Sequence, residues 1–432
     1  MTGQALRVEG GVKLEGDVYI GGAKNSVLPL LCATLLTEET CRLRNVPHLS
    51  DVATGVHLLS HLGASCTLSA SSGSSGRYSD ALKIRCDAIT DLTAPYETVT
   101  KMRASFLVLG PLLARFGRAK VSMPGGCAIG LRPIDLHLAG LQALGADIHA
   151  EEGYIVAEAP GGLRGGDFTF SKVSVGATEH LMMAASLAEG ETILRNAARE
   201  PEISQLADVL NAMGATVRGA GEETISITGA KKLRGFSCSV ISDRIETGTF
   251  MVAAPITEGR LILHGAETSH NGALIALLEE MGVHFRDAGP GRTEVWGDVK
   301  NLRPASVTTH PYPGFPTDMQ AQLMALASLT PGQSRICEDV FENRFMHVPE
   351  MLRMGADIVI EENKCAVITG APFLYGADLK ATDLRASVSL VLMAMAAHGV
   401  SHIHHLHHID RGYERIEEKL RACGAKIDRV AT

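Results

Sequence analysis

Positively charged side chains stand at the start of three apolar segments of the chain. Lys24, Arg103 and Arg385 occur in AKNS, KMRAS and DLRAS, and each precedes a stretch in which most residues are apolar. If these stretches are helices, their first amide groups lack intrahelical partners and attract anions. A single arginine at such a place is more often a surface or structural charge. Three equivalent positions in a chain of net charge −8 favour a site for phosphate or carboxylate groups.

Two further segments contain groups that can transfer protons. The glycine-rich segment 124–133 places the thiol of Cys127 near Arg132, and a proline-rich segment, 310–320, leads into the carboxylate of Asp318. A thiol with an ordinary pKa is protonated at neutral pH and can act as an acid, whereas a carboxylate can act as a base. The structural alternatives are a tight turn with an inert cysteine and an aspartate that caps a helix.

Additional arginines and histidines occur near the C-terminus. Arg344 in segment 340–350 and Arg411 in segment 408–419 offer further positive charge, or simply lie at helix ends. The histidine-rich segment 401–409 alternates as a strand does and lacks acidic or cysteine ligands at the usual spacing of zinc sites, so we predict no metal there. The sequence contains neither a P-loop nor the glycine fingerprint of dinucleotide-binding proteins.

A repeat of about 70 residues organises the elements that must position these groups. An apolar residue or cysteine followed by Gly-Ala or Gly-Val recurs at Gly63, Gly145, Gly214, Gly282, Gly355 and Gly424. A second glycine ends an apolar stretch in the later units, at Gly117, Gly190, Gly259, Gly332 and Gly399.

Each repeat is predicted to contain two helices of different character, followed by strands. One helix is apolar on all sides and therefore buried, in the segments 26–36, 104–116, 180–188, 248–256, 319–329 and 386–397. The other is amphipathic and is capped by the repeat glycine. Repeated alternation of helix and strand predicts an α/β fold. Because six units exceed the usual size of one core, we expect three units in each of two domains.

Composition excludes several classes of protein. Among 432 residues, 45% are hydrophobic and 20% charged, which rules out a disordered chain. The negative net charge argues against binding to nucleic acid or to an anionic membrane. No apolar run approaches the ~18 residues of a membrane-spanning helix, and the first residues lack a secretory pattern. Nine cysteines without a C-x-x-C pair are predicted to be reduced thiols of a cytoplasmic protein.

The chain resembles the enolpyruvyl transferase family over nearly its whole length. The motifs that carry the resemblance are GGAKN (21–25), MRAS (102–105), PGGCAIGLRP (124–133), KVSVGAT (172–178), NAAREPEI (196–203), DRIETGTF (243–250), FPTDMQAQ (315–322), VFENRFMHV (340–348), ATDLRAS (381–387) and HIDRGYERI (408–416).

The resemblance implies a two-domain inside-out α/β barrel with six repeated β-α-β-α-β-β units, three per domain, around buried helices. It implies a first domain of residues 24–241, a second of residues 1–23 and 242–432, and an active site between them. The implied reaction transfers the enolpyruvyl group of phosphoenolpyruvate to the 3′-hydroxyl of UDP-N-acetylglucosamine, by addition and then elimination of phosphate. That reaction begins peptidoglycan synthesis and needs neither a metal nor an organic cofactor, and its partners are small molecules.

The family's functional residues transfer to matching positions of this chain. Four are implied to be catalytic: Cys127 as the acid, Asp318 as the base, Lys24 and Arg411. The implied phosphoenolpyruvate site comprises Lys24, Asn25, Arg103, Arg132, Arg344, Arg385 and Arg411. The implied site for UDP-N-acetylglucosamine comprises Asn25, Arg103, Arg132, Pro133, Ile134, Asp135, Leu136, Lys172, Ser174, Val175, Gly176, Asp318 and Val340. Asp383 is implied to lie near the reacting centre.

Two alternatives remain at the level of sequence. The first is the shikimate 3-phosphate enolpyruvyl transferase of the same fold, which lacks the thiol that Cys127 supplies here. The second is a catalytically idle paralogue that acts as a binding protein. Retention of the charged and proton-transfer groups argues against it.

Overall fold

The computed structural model describes residues 3–72, 78–124 and 134–432. These residues divide into two compact units. The first unit holds the described residues from Gly22 to Ile241, and the second unit holds those of Met1–Gly21 and Ser242–Thr432.

Short strands alternate with helices along the chain. The strands are β1 (Gln4–Glu9), β2 (Glu15–Tyr19), β3 (Cys41–Arg44), β4 (Ser65–Ser72), β5 (Tyr78–Arg85), β6 (Thr93–Ala94), β7 (Arg118–Ser122), β8 (Asp147–Glu151), β9 (Tyr154–Glu158), β10 (Asp167–Thr169), β11 (Glu191–Arg195), β12 (Thr216–Arg218), β13 (Thr224–Thr228), β14 (Ser237–Ser239), β15 (Arg260–His264), β16 (His284–Asp287), β17 (Arg292–Trp296), β18 (Ser306–Thr308), β19 (Gln333–Cys337), β20 (Asp357–Glu361), β21 (Cys365–Thr369), β22 (Asp378–Lys380), β23 (Val400–His404) and β24 (Lys426–Ala431).

The α-helices are α1 (Lys24–Ala33), α2 (Ser50–His61), α3 (Tyr96–Lys101), α4 (Leu109–Phe116), α5 (Asp135–Ala143), α6 (Val175–Ala185), α7 (Pro201–Met213), α8 (Arg244–Ile256), α9 (Gly272–Met281), α10 (Gln320–Ala327), α11 (Val348–Arg353), α12 (Ala386–Ala396) and α13 (Ile416–Ala422). Short 3₁₀ helices cover Thr34–Leu36, Arg103–Val108, Thr268–Asn271, Val299–Asn301, Thr317–Met319 and Leu406–Arg411.

The strands of the described residues form six four-stranded sheets with one shared pattern. The orders are β14-β3-β5-β4, β6-β7-β9-β8 and β10-β11-β13-β12 in the first unit, and β16-β17-β15-β2, β18-β19-β21-β20 and β22-β23-β1-β24 in the second. In each sheet one edge strand runs parallel to its neighbour and the other pairs are antiparallel, as in β10 with β11 and β11 with β13. The six-fold repeat expected from the glycines is confirmed.

Two sheets of the second unit depend on the beginning of the chain. β1 lies between β23 and β24 and pairs antiparallel with both. β2 runs parallel to β15. The N-terminal strands are therefore integral to sheets formed otherwise by residues after position 259.

The sheets surround helices that are buried on all sides. Every residue of α8 and of α10 is buried, although each helix also contains polar side chains in its first two turns. The helices that precede the repeat glycines bury one face only, as α2 does with Val52, Leu58 and Leu59. Apolar helices inside and sheets outside give each unit the inside-out α/β arrangement that was expected.

The repeat glycines end their helices in the left-handed conformation. All six have φ between 88° and 116°, which glycine adopts without strain. Gly259 of the second set differs, because Glu258 takes the left-handed φ of 52° in its place. A Cβ on Gly259 would lie 2.3 Å from the carbonyl oxygen of Leu14, so a close backbone approach explains this glycine.

One expected helix is shorter than its apolar run. The segment 104–116 begins as a 3₁₀ helix over Arg103–Val108 and becomes α-helical at Leu109. Pro111 supplies no amide hydrogen and its ring excludes a preceding α-helical turn, so it fits only the first turn of α4.

The expectation that all cysteines are reduced is wrong for one pair. Cys337 at the end of β19 and Cys365 at the start of β21 are directly opposed in an antiparallel pair and form a disulfide. The chain spacing of these cysteines carries no signal of this pairing, because the sheet register brings them together. Among the described helices, none combines the length and apolar character needed to cross a membrane.

Candidate active site

The carboxylate of Asp318 is held by two buried arginines of the second unit. Asp318 lies in the 3₁₀ helix Thr317–Met319, just before α10. Arg344 Nη2 donates a hydrogen bond of 2.7 Å to Asp318 Oδ1, and Arg385 Nε lies 3.6 Å from Oδ2. The arginine side chains are 6% and 4% exposed, while that of Asp318 is 24% exposed. A carboxylate so placed is accessible to a ligand and is held in a defined orientation.

Asp318 does not act as the helix cap that the structural alternative required. The 3₁₀ helix is preceded by Pro316 and α10 by Met319, and neither start carries a side-chain cap. The prolines therefore lead into a carboxylate that contacts arginines.

Asp383 fixes the position of Arg385. Its Oδ1 accepts the amide hydrogens of Arg385 and Ala386 at 2.8 and 3.0 Å, at the start of α12. Burial lowers the pKa of Arg385, but Asp318, Asp243 and Tyr413 together raise it above its ordinary value, so the guanidinium group stays charged. The structure thus gives Asp383 an orienting role.

The sequence did not predict a buried polar network that adjoins Arg385. Arg385 lies 5.9 Å from the ring centroid of Tyr413, whose hydroxyl contacts Thr249 Oγ1 at 2.8 Å and Gln322 Nε2 at 3.2 Å. Burial raises the pKa of Tyr413 to about 12, so its hydroxyl remains protonated. Tyr413 lies in the HIDRGYERI motif, but the sequence did not indicate its partners.

Arg411 ends the 3₁₀ helix Leu406–Arg411. The preceding residue, Asp410, accepts hydrogen bonds of 2.5 and 3.1 Å from Arg429 of β24. Arg429 also binds Glu417 through its Nε at 2.5 Å. The C-terminal strand thereby holds the chain next to Arg411.

In the first unit, Lys24 is a buried cation at the start of α1. Its Nζ lies 2.8 Å from Asp51 Oδ2, and the two side chains are 8% and 5% exposed. Because both charges are buried, Lys24 and Asp51 stabilise each other as an ion pair. Asn25 follows as a half-buried residue.

Several predicted sugar-nucleotide residues converge around His137. Ile134, Asp135 and Leu136 precede it at the start of α5. A Cβ on Gly176, in the first turn of α6, would lie 3.5 Å from His137 Cε1. Burial and the charge of Arg103 lower the pKa of His137 to about 3.

His137 itself was not predicted, and a second histidine orients it. His180 Nε2 accepts the amide hydrogen of Gly110 at 2.6 Å, and the two Nδ1 atoms of His137 and His180 are 3.0 Å apart. Burial lowers the pKa of His180, so it is neutral and its single ring hydrogen lies on Nδ1. His137 then accepts at Nδ1 and carries its own hydrogen on Nε2.

The start of α6 exposes backbone amide groups of the kind that favour an anion. Ser174 caps this helix by accepting the amide hydrogen of Ala177 at 3.3 Å. Lys172 is exposed, and Val175 and Gly176 form the first turn, where free amide groups favour negative charge.

Three predicted residues, Cys127, Arg132 and Pro133, lie outside the described residues. Val340 is half-buried in the segment after β19. Within the described ranges, no group of histidine, cysteine and acidic side chains is arranged to hold a metal ion.

Known proteins resemble the chain over nearly its whole length. The family model of EPSP synthase (3-phosphoshikimate 1-carboxyvinyltransferase) matches residues 8–420. The chain is 52% identical to the UDP-N-acetylglucosamine 1-carboxyvinyltransferase of Paramagnetospirillum magneticum over 98% of both chains. It is also 52% identical to the protein of that name in Rhodospirillum centenum over 98% of both chains.

Two solved structures share the fold. The enolpyruvyl transferase NikO from Streptomyces tendae matches with a TM-score of 0.86 at 24% identity and covers 100% of both chains. EPSP synthase from Acinetobacter baumannii matches with a TM-score of 0.72 at 19% identity, covering 99% of this chain and 100% of its own.

Proposed function

The chain belongs to the EPSP synthase family of enolpyruvyl transferases, and we propose that it transfers the enolpyruvyl group of phosphoenolpyruvate to the 3′-hydroxyl of UDP-N-acetylglucosamine, releasing phosphate. The observation that carries the proposal is the identity of about half of all positions, over almost the whole chain, with relatives named for that activity. The geometry around Asp318 supports it, because the reaction needs a base beside cationic groups.

In this reaction, lysine and arginine side chains bind phosphoenolpyruvate. The substrate carries phosphate and carboxylate groups, which charge-assisted hydrogen bonds from arginine recognise with defined geometry. The hydrogen-bond donors to the substrate are the cations Lys24, Arg103, Arg132, Arg344, Arg385 and Arg411 and the side-chain amide of Asn25. The same cations stabilise the phosphate that leaves in the second step.

Two proton transfers complete the addition. Asp318 accepts the proton of the attacking sugar hydroxyl, and Cys127 donates a proton to the methylene carbon of phosphoenolpyruvate. The hydroxyl oxygen bonds to the adjacent carbon and gives a tetrahedral phosphate-bearing intermediate. Loss of phosphate and of one methyl proton then restores the carbon–carbon double bond and gives the enol ether of the sugar.

Recognition of the sugar nucleotide is assigned to the first unit. The cluster of Arg103, residues 134–136 and the start of α6 supplies a cation and free amide groups that suit a diphosphate. Val340 and Asp318 of the second unit are assigned to the sugar end.

The reaction places the protein in the cytoplasm, at the first committed step of peptidoglycan synthesis, and hence in cell-wall biogenesis, cell shape and cell division.

The second candidate is transfer to shikimate 3-phosphate, which the description of the family model favours. Against it stands the contrast between 52% identity to the sugar-nucleotide enzymes and 19% identity to an EPSP synthase of known structure.

Phosphate release distinguishes the two acceptors. Purified protein is incubated with phosphoenolpyruvate and either UDP-N-acetylglucosamine or shikimate 3-phosphate, and the product is identified by mass. We expect phosphate and an enolpyruvyl ether with the sugar nucleotide alone, and loss of both in Asp318→Asn. Release with shikimate 3-phosphate, or with neither acceptor, contradicts the proposal.

A further inference from the structure

A buried carboxylate, Glu338, connects the segment of Asp318 with the segment of Arg344. Glu338 follows β19 directly and is 5% exposed. Its Oε1 accepts the amide hydrogens of Val340 at 2.9 Å and of Phe341 at 3.0 Å, and its Oε2 accepts the hydroxyl of Thr317 at 2.9 Å. We call Glu338 with these three partners the Glu338 clamp.

The clamp closes a ring of contacts around the base. Thr317 precedes Asp318, and Asp318 binds Arg344. The guanidinium carbon of Arg344 lies 5.6 Å from the ring centroid of Phe341. The backbone amide of Phe341 donates to Glu338, which completes the ring. A shift of any residue in this ring therefore changes the position of the Asp318 carboxylate relative to Arg344.

The main chain at Glu338 is itself anchored to the sheet. Its amide donates to the carbonyl oxygen of Lys364 at 2.8 Å, next to the disulfide of Cys337 and Cys365. The following amide, of Asp339, donates to Thr309 Oγ1 at 3.0 Å. The clamp therefore transfers the rigidity of a four-stranded sheet to two short segments that have few backbone hydrogen bonds of their own.

We propose that Glu338 is a positioning residue, which sets the distance and orientation of Asp318 relative to Arg344. It touches no substrate in this assignment, and the inference rests on the proposed function of Asp318 as base. A base displaced by about 1 Å can lose on the order of 100-fold in rate, so a carboxylate that orients it affects turnover more than substrate affinity.

Three variants and one control test the clamp. Thr317→Val removes one hydroxyl at nearly constant shape, and Glu338→Ala removes all three acceptor contacts. Glu338→Gln keeps an oxygen for the two amides and an NH₂ group that can donate to Thr317. Glu350→Ala is the control, because Glu350 Oε2 also accepts a backbone amide hydrogen, from Lys380 at 2.9 Å, in the same unit but away from Asp318.

We expect kcat to fall about 100-fold in Glu338→Ala and about 10-fold in Thr317→Val, with the KM of phosphoenolpyruvate within about 3-fold of the wild type. Glu338→Gln should recover most of the loss, and Glu350→Ala should keep wild-type turnover. Thr317→Val leaves the buried carboxylate of Glu338 in place. If Glu338→Ala does not fold, the kcat of Thr317→Val tests the proposal instead. Unchanged kcat in Thr317→Val, or an equal loss in Glu350→Ala, overturns the proposal.

Hydrogen exchange of the substrate-free protein separates this inference from the proposed function. Peptides covering 316–319 and 338–345 should exchange faster in Glu338→Ala and Thr317→Val than in the wild type and in Glu350→Ala. If the wild type releases no phosphate from phosphoenolpyruvate with either acceptor, the proposed function fails, and hydrogen exchange alone then tests the clamp. Unchanged exchange in both peptides contradicts it.

Discussion

Asp318 faces two guanidinium groups that are almost inaccessible to water. Substitution of Asp318 tests both its charge pairing with these groups and its role as the catalytic base. Asp318→Asn keeps the size of the side chain and removes the base. We expect turnover to fall roughly 10²- to 10⁴-fold. The melting temperature should also drop, because buried Arg344 and Arg385 lose an anionic partner. Phosphoenolpyruvate should still bind, since its own anionic groups face the same arginines.

Steady-state kinetics and a thermal melt measure these effects. Asp339→Asn provides the control, because Asp339 is an exposed acid of the same unit. Turnover near that of the wild type in Asp318→Asn would refute the catalytic role.

Free cysteines among the described residues have thiols whose pKa is raised by burial. Burial raises the pKa of Cys32 and Cys86 to about 12, and that of Cys41, Cys238 and Cys423 to about 11. Thiols of this kind react slowly, because the thiolate is the nucleophile. We therefore predict that fosfomycin, an epoxide that carries a phosphonate, alkylates Cys127 alone and abolishes activity.

Peptide mass spectrometry locates the adduct. Cys127→Asp should resist the compound and keep part of the activity, because a carboxylic acid can also donate the proton. Alkylation spread over several cysteines with activity retained argues against the assignment.

At the scale of elements, the disulfide between β19 and β21 ties two strands of one sheet. It joins residues 28 apart in sequence. Closing a loop of this size lowers the entropy of the unfolded chain by the equivalent of roughly 3 to 4 kcal/mol. We expect a thiol reductant to lower the melting temperature of the wild type, and to leave that of the double variant Cys337→Ser/Cys365→Ser unchanged.

A thiol count under denaturing conditions provides the complementary measurement. Two cysteines should react only after reduction in the wild type. If all cysteines react without reductant, these two are reduced in solution and the melting difference should vanish as well.

The repeated elements explain why sequence patterns were informative at this scale. The repeat glycines predicted helix ends because a positive φ is a local requirement that glycine meets without strain. The extent of the second buried helix was wrong, because Pro111 restricts the α-helix to Leu109–Phe116 and leaves Arg103 in a 3₁₀ helix.

At the scale of the whole molecule, the second unit requires the first residues of the chain. β1 pairs on both edges, with β23 and β24, and Leu6 and Val8 are fully buried. A variant that begins at Gly10 should leave β24 unpaired, β23 paired with β22 alone, and a cavity in that core. We expect residues 242–432 to become sensitive to limited proteolysis while residues 22–241 keep their protection.

A variant that begins at Gln4 serves as the control, since it retains all of β1. Equal protection of both units in the Gly10 variant would show that β1 is dispensable.

The sequence by itself determined the α/β class, the six repeats and the family. It could do so because apolar periodicity, glycine positions and motif residues are properties of short segments. It also indicated the cationic helix starts at Lys24, Arg103 and Arg385. The roles proposed for the site residues remain predictions, and three of these residues, Cys127, Arg132 and Pro133, lie outside the described part of the chain.

Only the tertiary structure decided which side chains meet. It paired Cys337 with Cys365, placed His180 against His137 and joined Thr317 to Glu338. These partners are separated by 21 to 43 positions. Such contacts depend on strand register and on helix packing, which no short segment encodes. The physical reason is that a hydrogen bond or a disulfide needs atoms within a few ångströms of each other, and this proximity arises only once the sheets have closed around the buried helices.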